Sequence, residues 1–482
     1  MTLIATLAGR AALHGERTAI IEAGGASITF AGLMRASQDC ASALRARGIA
    51  KGDRVLVALP LGIGLYVSLA ALWRLGAVVV FPEPALGLAG LRHAAATARP
   101  RALFAGRLLR AARLIWRETR AIPLALPPGS GGSGAAFADA PVALDDPALM
   151  SFTSGSTGEP KCIIRSHAFL LAQNAALEPL LAPGADNARD LVAFPVFVLA
   201  TLALGATAVL PNWNLRKPQE AKAASILAHL ERHRVTRLLV PPAICAALSR
   251  QPLPARLTYI FTGGGPVFPA VLRALMHVAP QAHLVAVYGS TEAEPIAHLH
   301  AQDIAQDDWR AMAGAGGLLA GAPVAAVRLR IIDDEILVTG AHVNKAYADP
   351  AQDAAAKVVI AGEVWHRTGD AGRLDAQGRL WLLGRIEARV GGLFPFCVET
   401  AARQWPGVRA AALAALDGRP VLALEGDAAH LPAWRVAATG LGITRVRRLR
   451  ALPLDRRHRS KIDYRQLQVL LRRSAQAQDE TI

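Results

Sequence analysis

The sequence predicts an α/β protein. It reads as a large N-terminal domain with doubly wound, mostly parallel sheets and a small antiparallel β lobe, plus a small C-terminal α+β domain. Three observations carry this. Helix-period segments alternate with short apolar β-rich runs through the first 300 residues. Several of those runs end in Gly, Pro or Ser, the strand ends at which ligands gather in doubly wound sheets. After residue 320 the chain changes to short strands and tight turns.

The β-rich runs come in order. RTAIIEA, ASITF, DRVLVALP, AVVVFPEP and RALFAG supply the first strands, all within 17–106. PPGSGGSG (127–134) reads as a flexible surface loop, since the α/β pattern resumes after it. VTRLLVPP, LTYIFTGGGP and HLVAVYGSTE continue the parallel series. AAVRLRIIDDEILVTG, EVWHRTGD and GRLDAQGRLWLLGR read as antiparallel hairpins. The boundary falls at 384/385, giving 1–384 and 385–482, the latter closing in a polar tail, SAQAQDETI.

Composition narrows the function. The chain has 482 residues, of which 52% are hydrophobic, enough to bury more than one core. Cys40, Cys162, Cys245 and Cys397 are far apart with no CxxC spacing, which fits a reducing cytoplasm and disfavours a disulfide or zinc scaffold. The net charge is +16, yet the arginines are dispersed and no basic stripe carries regular aromatics, so nucleic acid is not the expected partner. The densest run, RVRRLRALPLDRRHRSK (445–461), reads as a solvated face or as an attractor of polyanions. The first residues, broken by Arg10 and Arg17, form no continuous apolar leader. The segment 191–215 has no charged residue, but Pro195, Gly205 and Pro211 interrupt it. It is expected to be a buried helix leading into a buried strand, not a transmembrane segment.

SFTSGSTGEPK (151–161) combines glycines, hydroxyls and one lysine. Bare backbone N–H groups, hydroxyl donors and an ammonium suit a phosphate. The spacing is G-x-x-G-x-P-K, not that of a Walker loop, and Pro160 opposes a helix starting at Lys161. A plain flexible turn is the other reading. The same holds elsewhere: Glu292 could cap a helix, Asp370 could make an Asx turn, and Lys461 could be one more exposed cation.

Five motifs in order remove most of that ambiguity: SFTSGSTGEPK, TGGGPV (262–267), VYGSTEAEP (287–295), HRTGDAGRLDAQGRLWLLGR (366–385) and LPLDRRHRSK (452–461). Together they resemble the adenylate-forming, AMP-binding superfamily of acyl- and aryl-CoA synthetases, luciferases and peptide-synthetase adenylation domains, from about residue 20 to 465. The resemblance implies ATP and Mg²⁺ as cofactors, an adenylation domain over 1–384 and a mobile unit over 385–482. Thr153, Ser154, Gly155, Ser156, Thr157, Gly158 and Lys161 would hold the β- and γ-phosphates, Thr291 the α-phosphate, and Glu292 the metal. Gly264, Gly265 and Pro266 would lie under the adenine, Tyr288 would stack on it, and Gly289 and Ser290 would complete that turn. Asp370 would accept the ribose hydroxyls, Arg385 would bond the ribose or phosphate, and Lys461 would bridge carboxylate and α-phosphate.

Phe194, Phe197, Gly289 and Ala293 are expected around the acid. The uncharged 191–205 segment lacks the aspartate that amino-acid-activating relatives carry, so a small apolar carboxylic acid, most simply a fatty one, is the expected substrate. The implied activity is an AMP-forming ligase that transfers the acyl group to CoA or to the thiol of an acyl carrier protein or pathway enzyme. Against the usual loop after the GR pair, however, this chain has Glu387 and RVGGLFPFCVETAARQWPGV (389–408), where only Glu399 and the WPGV end look familiar. That stretch, with PVFVLATLALGATAVLP and YGSTEAEPIA, is similar to olefin-pathway β-lactone synthetases, which need no thiol acceptor. Cys162 stands where most relatives have glycine. A non-catalytic acyl-adenylate-binding relative is the third reading, disfavoured because Lys161, Glu292 and Lys461 are all present.

Overall fold

The computed structural model describes residues 2–82, 86–127, 138–154, 160–454 and 462–479. Its first sheet has six strands among the described residues, in the spatial order Leu124–Leu126, Ala102–Ala105, Arg54–Ala58, Val78–Phe81, Pro147–Ser154 and Pro160–Ser166. The first five run parallel and the last pair is antiparallel. Side chains alternate across a strand, so each face needs its own cover. Val55, Val57, Val79 and Phe104 pack with the helices Phe30–Ala46 and Ile63–Arg74. Leu56, Val78, Val80 and Leu103 pack on the other face with the helix Gly87–Ala98. Helices on both faces are what the near-continuous apolar runs demand.

The second sheet is continuous through both the parallel strands and the predicted antiparallel lobe. Parallel strands His283–Ser290, Tyr259–Gly263, Arg237–Val240, Arg189–Val192, Thr207–Val209 and Thr18–Ile21 lie side by side. Ala293–His300 folds back on His283–Ser290, and through it Leu318–Pro323 and Leu380–Arg385 carry the ladder into the hairpins. The antiparallel lobe is thus joined to the parallel sheet instead of standing apart. The first strand also departs from its sequence neighbours: Ile20 pairs with Ala208, in the second sheet. Pro195, Pro242 and Pro269 each open a helix just after a strand end, where the missing N–H costs nothing. The 191–215 segment is the helix Pro195–Ala203 followed by the strand Thr207–Val209. Among the described residues no helix is long and apolar enough to cross a membrane.

The C-terminal unit is a three-stranded sheet, Val408–Leu416, Arg419–Gly426 and Arg445–Leu449. The helices Pro395–Ala402 and Leu431–Thr439 cover one face, and Tyr464–Asp479 the other. That last helix runs through Asp479, so most of the predicted polar tail is helical. Glu399 is buried on the first of these helices, where it accepts hydrogen bonds from the Leu413 N–H and the Tyr464 hydroxyl at 2.9 Å each. Phe396 meets Phe268 edge-on at 6.1 Å, and the Arg403 guanidinium lies 4.0 Å over the same ring. Residues 128–134 of the predicted glycine-rich loop lie outside the described residues.

Candidate active site

YGSTEA forms the tip of a hairpin. Ser290 pairs with Ala293, so Thr291 and Glu292 are the two-residue turn at the sheet's end. No helix begins there, and the capping reading of Glu292 falls. A strap of chain around 343–348 crosses this tip. Val343 bridges Ala293, the Asn344 N–H donates to the Glu292 carbonyl at 2.7 Å, and Tyr347 bridges Ile163. The strap therefore ties the tip to the strand Pro160–Ser166, which begins at the proline that opposes a helix there.

Tyr347 is the residue this crossing places at the centre. Its hydroxyl donates to Glu292 Oε1 at 2.9 Å, while Lys161 Nζ and Lys357 Nζ lie 5.0 and 4.9 Å from its ring centroid. Lys357 Nζ also donates to the Asn344 carbonyl at 2.5 Å and stands 3.2 Å from His366 Nδ1. Burial pushes Lys357 down to about 8, against the pull of Glu292 and Asp353. Burial and the Lys357 charge push His366 down to about 4, leaving it neutral near pH 7. Burial works to raise Glu292, but His366, the Tyr347 hydroxyl and Lys357 outweigh it and hold the carboxyl below its usual range. Lys161, Lys345 and Lys357 outnumber the carboxylates of Glu292 and Asp353 here, an excess of positive charge that suits a polyphosphate. Among the described residues no three-ligand metal cluster occurs. A hard cation here would take one carboxylate oxygen of Glu292 and find its other ligands on phosphate and water, as Mg²⁺ commonly does.

A second group lies beside the tip. Asp370 Oδ2 accepts from the Tyr288 hydroxyl at 2.8 Å, and Oδ1 accepts from Arg385 Nη1 at 3.0 Å. Asp370 sits inside the strand Glu363–Leu374, opposite Arg385, and not in a turn. Gly369 precedes it with φ +71°, and a Cβ there would lie 2.9 Å from the Arg385 guanidinium, so glycine is what lets the arginine reach. The Ser290 hydroxyl is buried without a hydrogen-bond partner among the described residues.

Beyond the tip, a narrow apolar cavity, partly open to solvent, runs between two helices and the strand ends. Leu177, Leu180 and Leu181 of the helix His167–Leu181 form one wall, with Phe194 and Phe197 beside them. Leu239, Phe261, Gly263, Gly264 and Val287 form the other. A Cβ at Gly264, where φ is +76°, would lie 3.2 Å from Phe194, so a side chain would press on the cavity wall.

The predicted residues fall unevenly on this geometry. Lys161, Thr291 and Glu292 gather at the tip, Tyr288, Asp370 and Arg385 beside it, and Phe194 and Phe197 at the cavity. Gly265 and Pro266 follow Gly264 and are half-buried. Gly289 lies within the hairpin, and a Cβ there would come 2.9 Å from the Ala293 carbonyl. Ala293 is fully buried in the core and does not line the cavity; its neighbour Glu294 does, so the pocket is not charge-free. Thr153 and Ser154 end the strand Pro147–Ser154, with Thr153 opposite Lys161. Gly155, Ser156, Thr157, Gly158 and Lys461 lie outside the described residues. Cys162 is buried, and burial pushes its thiol up to about 12. Tyr347 and Lys357 lie in none of the five motifs, and His366 and Glu294 fall within HRTGD and VYGSTEAEP without an expected role there.

The family description "AMP-binding enzyme" matches residues 7–347. An olefin beta-lactone synthetase of Stenotrophomonas maltophilia (strain K279a) is 31% identical over 90% of this chain and 89% of its own. A feruloyl-CoA synthase of Amycolatopsis sp. is 30% identical over 84% of this chain and 83% of its own. The structure of the Bacillus subtilis O-succinylbenzoate coenzyme A synthetase, in complex with ATP and magnesium ion, superposes with TM-score 0.77 over 96% of this chain and 98% of that one, at 23% identity. The match over most of the chain, taken with a lysine-rich hairpin tip beside a paired aspartate, makes the protein a member of the AMP-binding enzyme family, an AMP-forming acid ligase.

Proposed function

We propose that the protein activates an apolar 3-hydroxy carboxylic acid with ATP and closes the resulting acyl-adenylate to a β-lactone. The observation that carries the first half is the convergence of Lys161 and Glu292 on Tyr347, next to a mostly apolar cavity. The likeness to an olefin beta-lactone synthetase and the altered 389–408 stretch support the second.

In the first step a carboxylate oxygen attacks the α-phosphorus in line, a P–O bond forms, and the bond to pyrophosphate breaks. Lys161 and the 153–158 stretch hold the leaving pyrophosphate. Thr291 donates to the α-phosphate, and Lys461 neutralises charge shared between acid and phosphate. Mg²⁺, when bound by Glu292, would supply further neutralisation of the phosphate oxygens. Asp370, oriented by Tyr288 and Arg385, accepts the ribose hydroxyls, and Gly264 with Gly265 and Pro266 offers bare backbone to the adenine. In the second step the acid's own 3-hydroxyl displaces AMP, which needs no thiol. The unit 385–482 swings between the steps, and the free cysteines suit a cytoplasmic setting.

Mass spectrometry of the products from ATP, Mg²⁺ and a 2-alkyl-3-hydroxy fatty acid, with and without CoA, tests this. A dehydrated, cyclised product in both reactions is expected. A thioester formed only with CoA would make the protein an acyl-CoA ligase, the reading the feruloyl-CoA synthase likeness favours.

A further inference from the structure

The helix Arg107–Ala112, continued by turns to Ile115, follows the strand Ala102–Ala105 of the first sheet. Its exposure repeats with the helical period. Leu109, Arg110, Ala112 and Arg113 are half-buried, whereas Arg107, Leu108, Ala111, Leu114 and Ile115 are exposed. Leu109 packs on the core that covers one face of the sheet. A helix seated in this way normally turns polar residues to water. Here the outward face carries Leu108 at 87% exposure, Leu114 at 57% and Ile115 at 72%. The Thr119 hydroxyl donates to the Arg113 carbonyl at 2.7 Å, and Arg113 Nη1 donates to the Ile122 carbonyl at 2.8 Å, so the next turn fixes this face in place.

The charge around the face is one-sided. Residues 99–120 hold seven arginines and one acid, Glu118. Arg92 takes that carboxylate through hydrogen bonds of 2.9 and 3.2 Å, and Arg107, Arg110 and Arg120 have no ion pair among the described residues. Arg54, Arg99 and Arg117 line an open groove that meets the segment at Arg117. Nucleic acid or free phosphate would need only the arginines and leaves the exposed leucines and isoleucine without a role. Three apolar side chains are too few for the core of a stable protein interface, which covers about 800 Å² on each partner. A bilayer surface asks for less. Apolar tips enter the acyl boundary, arginine stems lie along it, and the guanidiniums stay at the phosphates. We propose that the face of residues 107–117 is a docking surface for an anionic lipid bilayer, with Leu108, Leu114 and Ile115 inserted and Arg107 and Arg117 on the headgroup phosphates. The protein then lies on a membrane without crossing it, whichever acid it activates.

The test is flotation of the full-length protein with phosphatidylcholine vesicles, with and without phosphatidylglycerol. Wild type is expected to float with the anionic vesicles only, and less so at high salt. Leu108→Ser/Ile115→Ser leaves the charge unchanged and is expected to lower the partition coefficient about tenfold. Arg107→Glu/Arg117→Glu is expected to lower it about a hundredfold. Arg435→Glu/Arg450→Glu makes the same charge change at exposed positions of the C-terminal unit and should stay within a few-fold of wild type. Far-ultraviolet circular dichroism and thermal melting matching wild type show that each variant is folded. Wild type that ignores anionic vesicles would overturn the proposal and leave the face to an acidic protein. A serine pair that binds as wild type does would overturn it too, since charge alone would then explain the binding. So would an equal loss in the two arginine pairs, which would assign the attraction to the net charge of the whole chain.

Discussion

Glu292→Gln is expected to lower ATP–pyrophosphate exchange by about 10²- to 10³-fold, the scale of losing one charge-stabilising group at a phosphoryl centre. The carboxylate sits at the two-residue tip between the strands His283–Ser290 and Ala293–His300, and Tyr347 fixes it from the strap. Glutamine keeps the shape and can still accept from Tyr347. It removes the negative charge, and with it the anchor for a cation among Lys161 and Lys357. The loss should come with a raised Mg²⁺ requirement, measured by titrating the metal against exchange rate. Exchange within a few-fold of wild type at ordinary Mg²⁺ would remove Glu292 from the metal-binding role.

Asp190→Asn is expected to cost about 3–5 kcal/mol of stability, the scale for leaving one member of a buried ion pair uncompensated. Asp190 and Arg237 are wholly buried and joined by two contacts of 2.7 Å. Arg237 Nη1 also donates to the carbonyls of Leu181 and Pro183, at the end of the helix that walls the cavity. The Thr201 hydroxyl donates to Asp190 at 3.0 Å and brings in the helix Pro195–Ala203. One pair thus holds both cavity-lining helices to the parallel sheet. Urea unfolding of Asp190→Asn, Arg237→Met and the double variant checks this: each single change should shift the midpoint strongly, and the double change by less than their sum. Single variants that lose under 1 kcal/mol would contradict it.

Much of the fold was legible because its determinants are local. Apolar runs such as VTRLLVPP, stopped by proline, announce parallel strands, and the hairpins past 320 announce themselves by turns. What stayed hidden depends on contacts between distant parts of the chain. Nothing near RTAIIEA shows that Ile20 pairs with Ala208, and the joining of the hairpin lobe to the parallel sheet depends on the fold-back at YGSTEA. The site divides in the same way. Lys161, Glu292 and Asp370 stand in motifs dense with glycine and hydroxyls, whereas Tyr347 and Lys357 lie in the plain run NKAYADPAQDAAAKVV, where only three-dimensional crossing gives them meaning. The 191–205 segment supplies only one side of the cavity. The opposite wall is built by residues from other strands.

The most direct test of the whole reading is to follow oxygen. A 2-alkyl-3-hydroxy acid labelled with ¹⁸O in both carboxylate positions is turned over with ATP, and the AMP and lactone are weighed by mass spectrometry. Activation of the carboxylate followed by attack of the 3-hydroxyl predicts one label in AMP and one in the lactone carbonyl, with an unlabelled ring oxygen. Both labels in the lactone and none in AMP would mean that the hydroxyl was activated and the carboxylate did the attacking, which contradicts the chemistry assigned to this site.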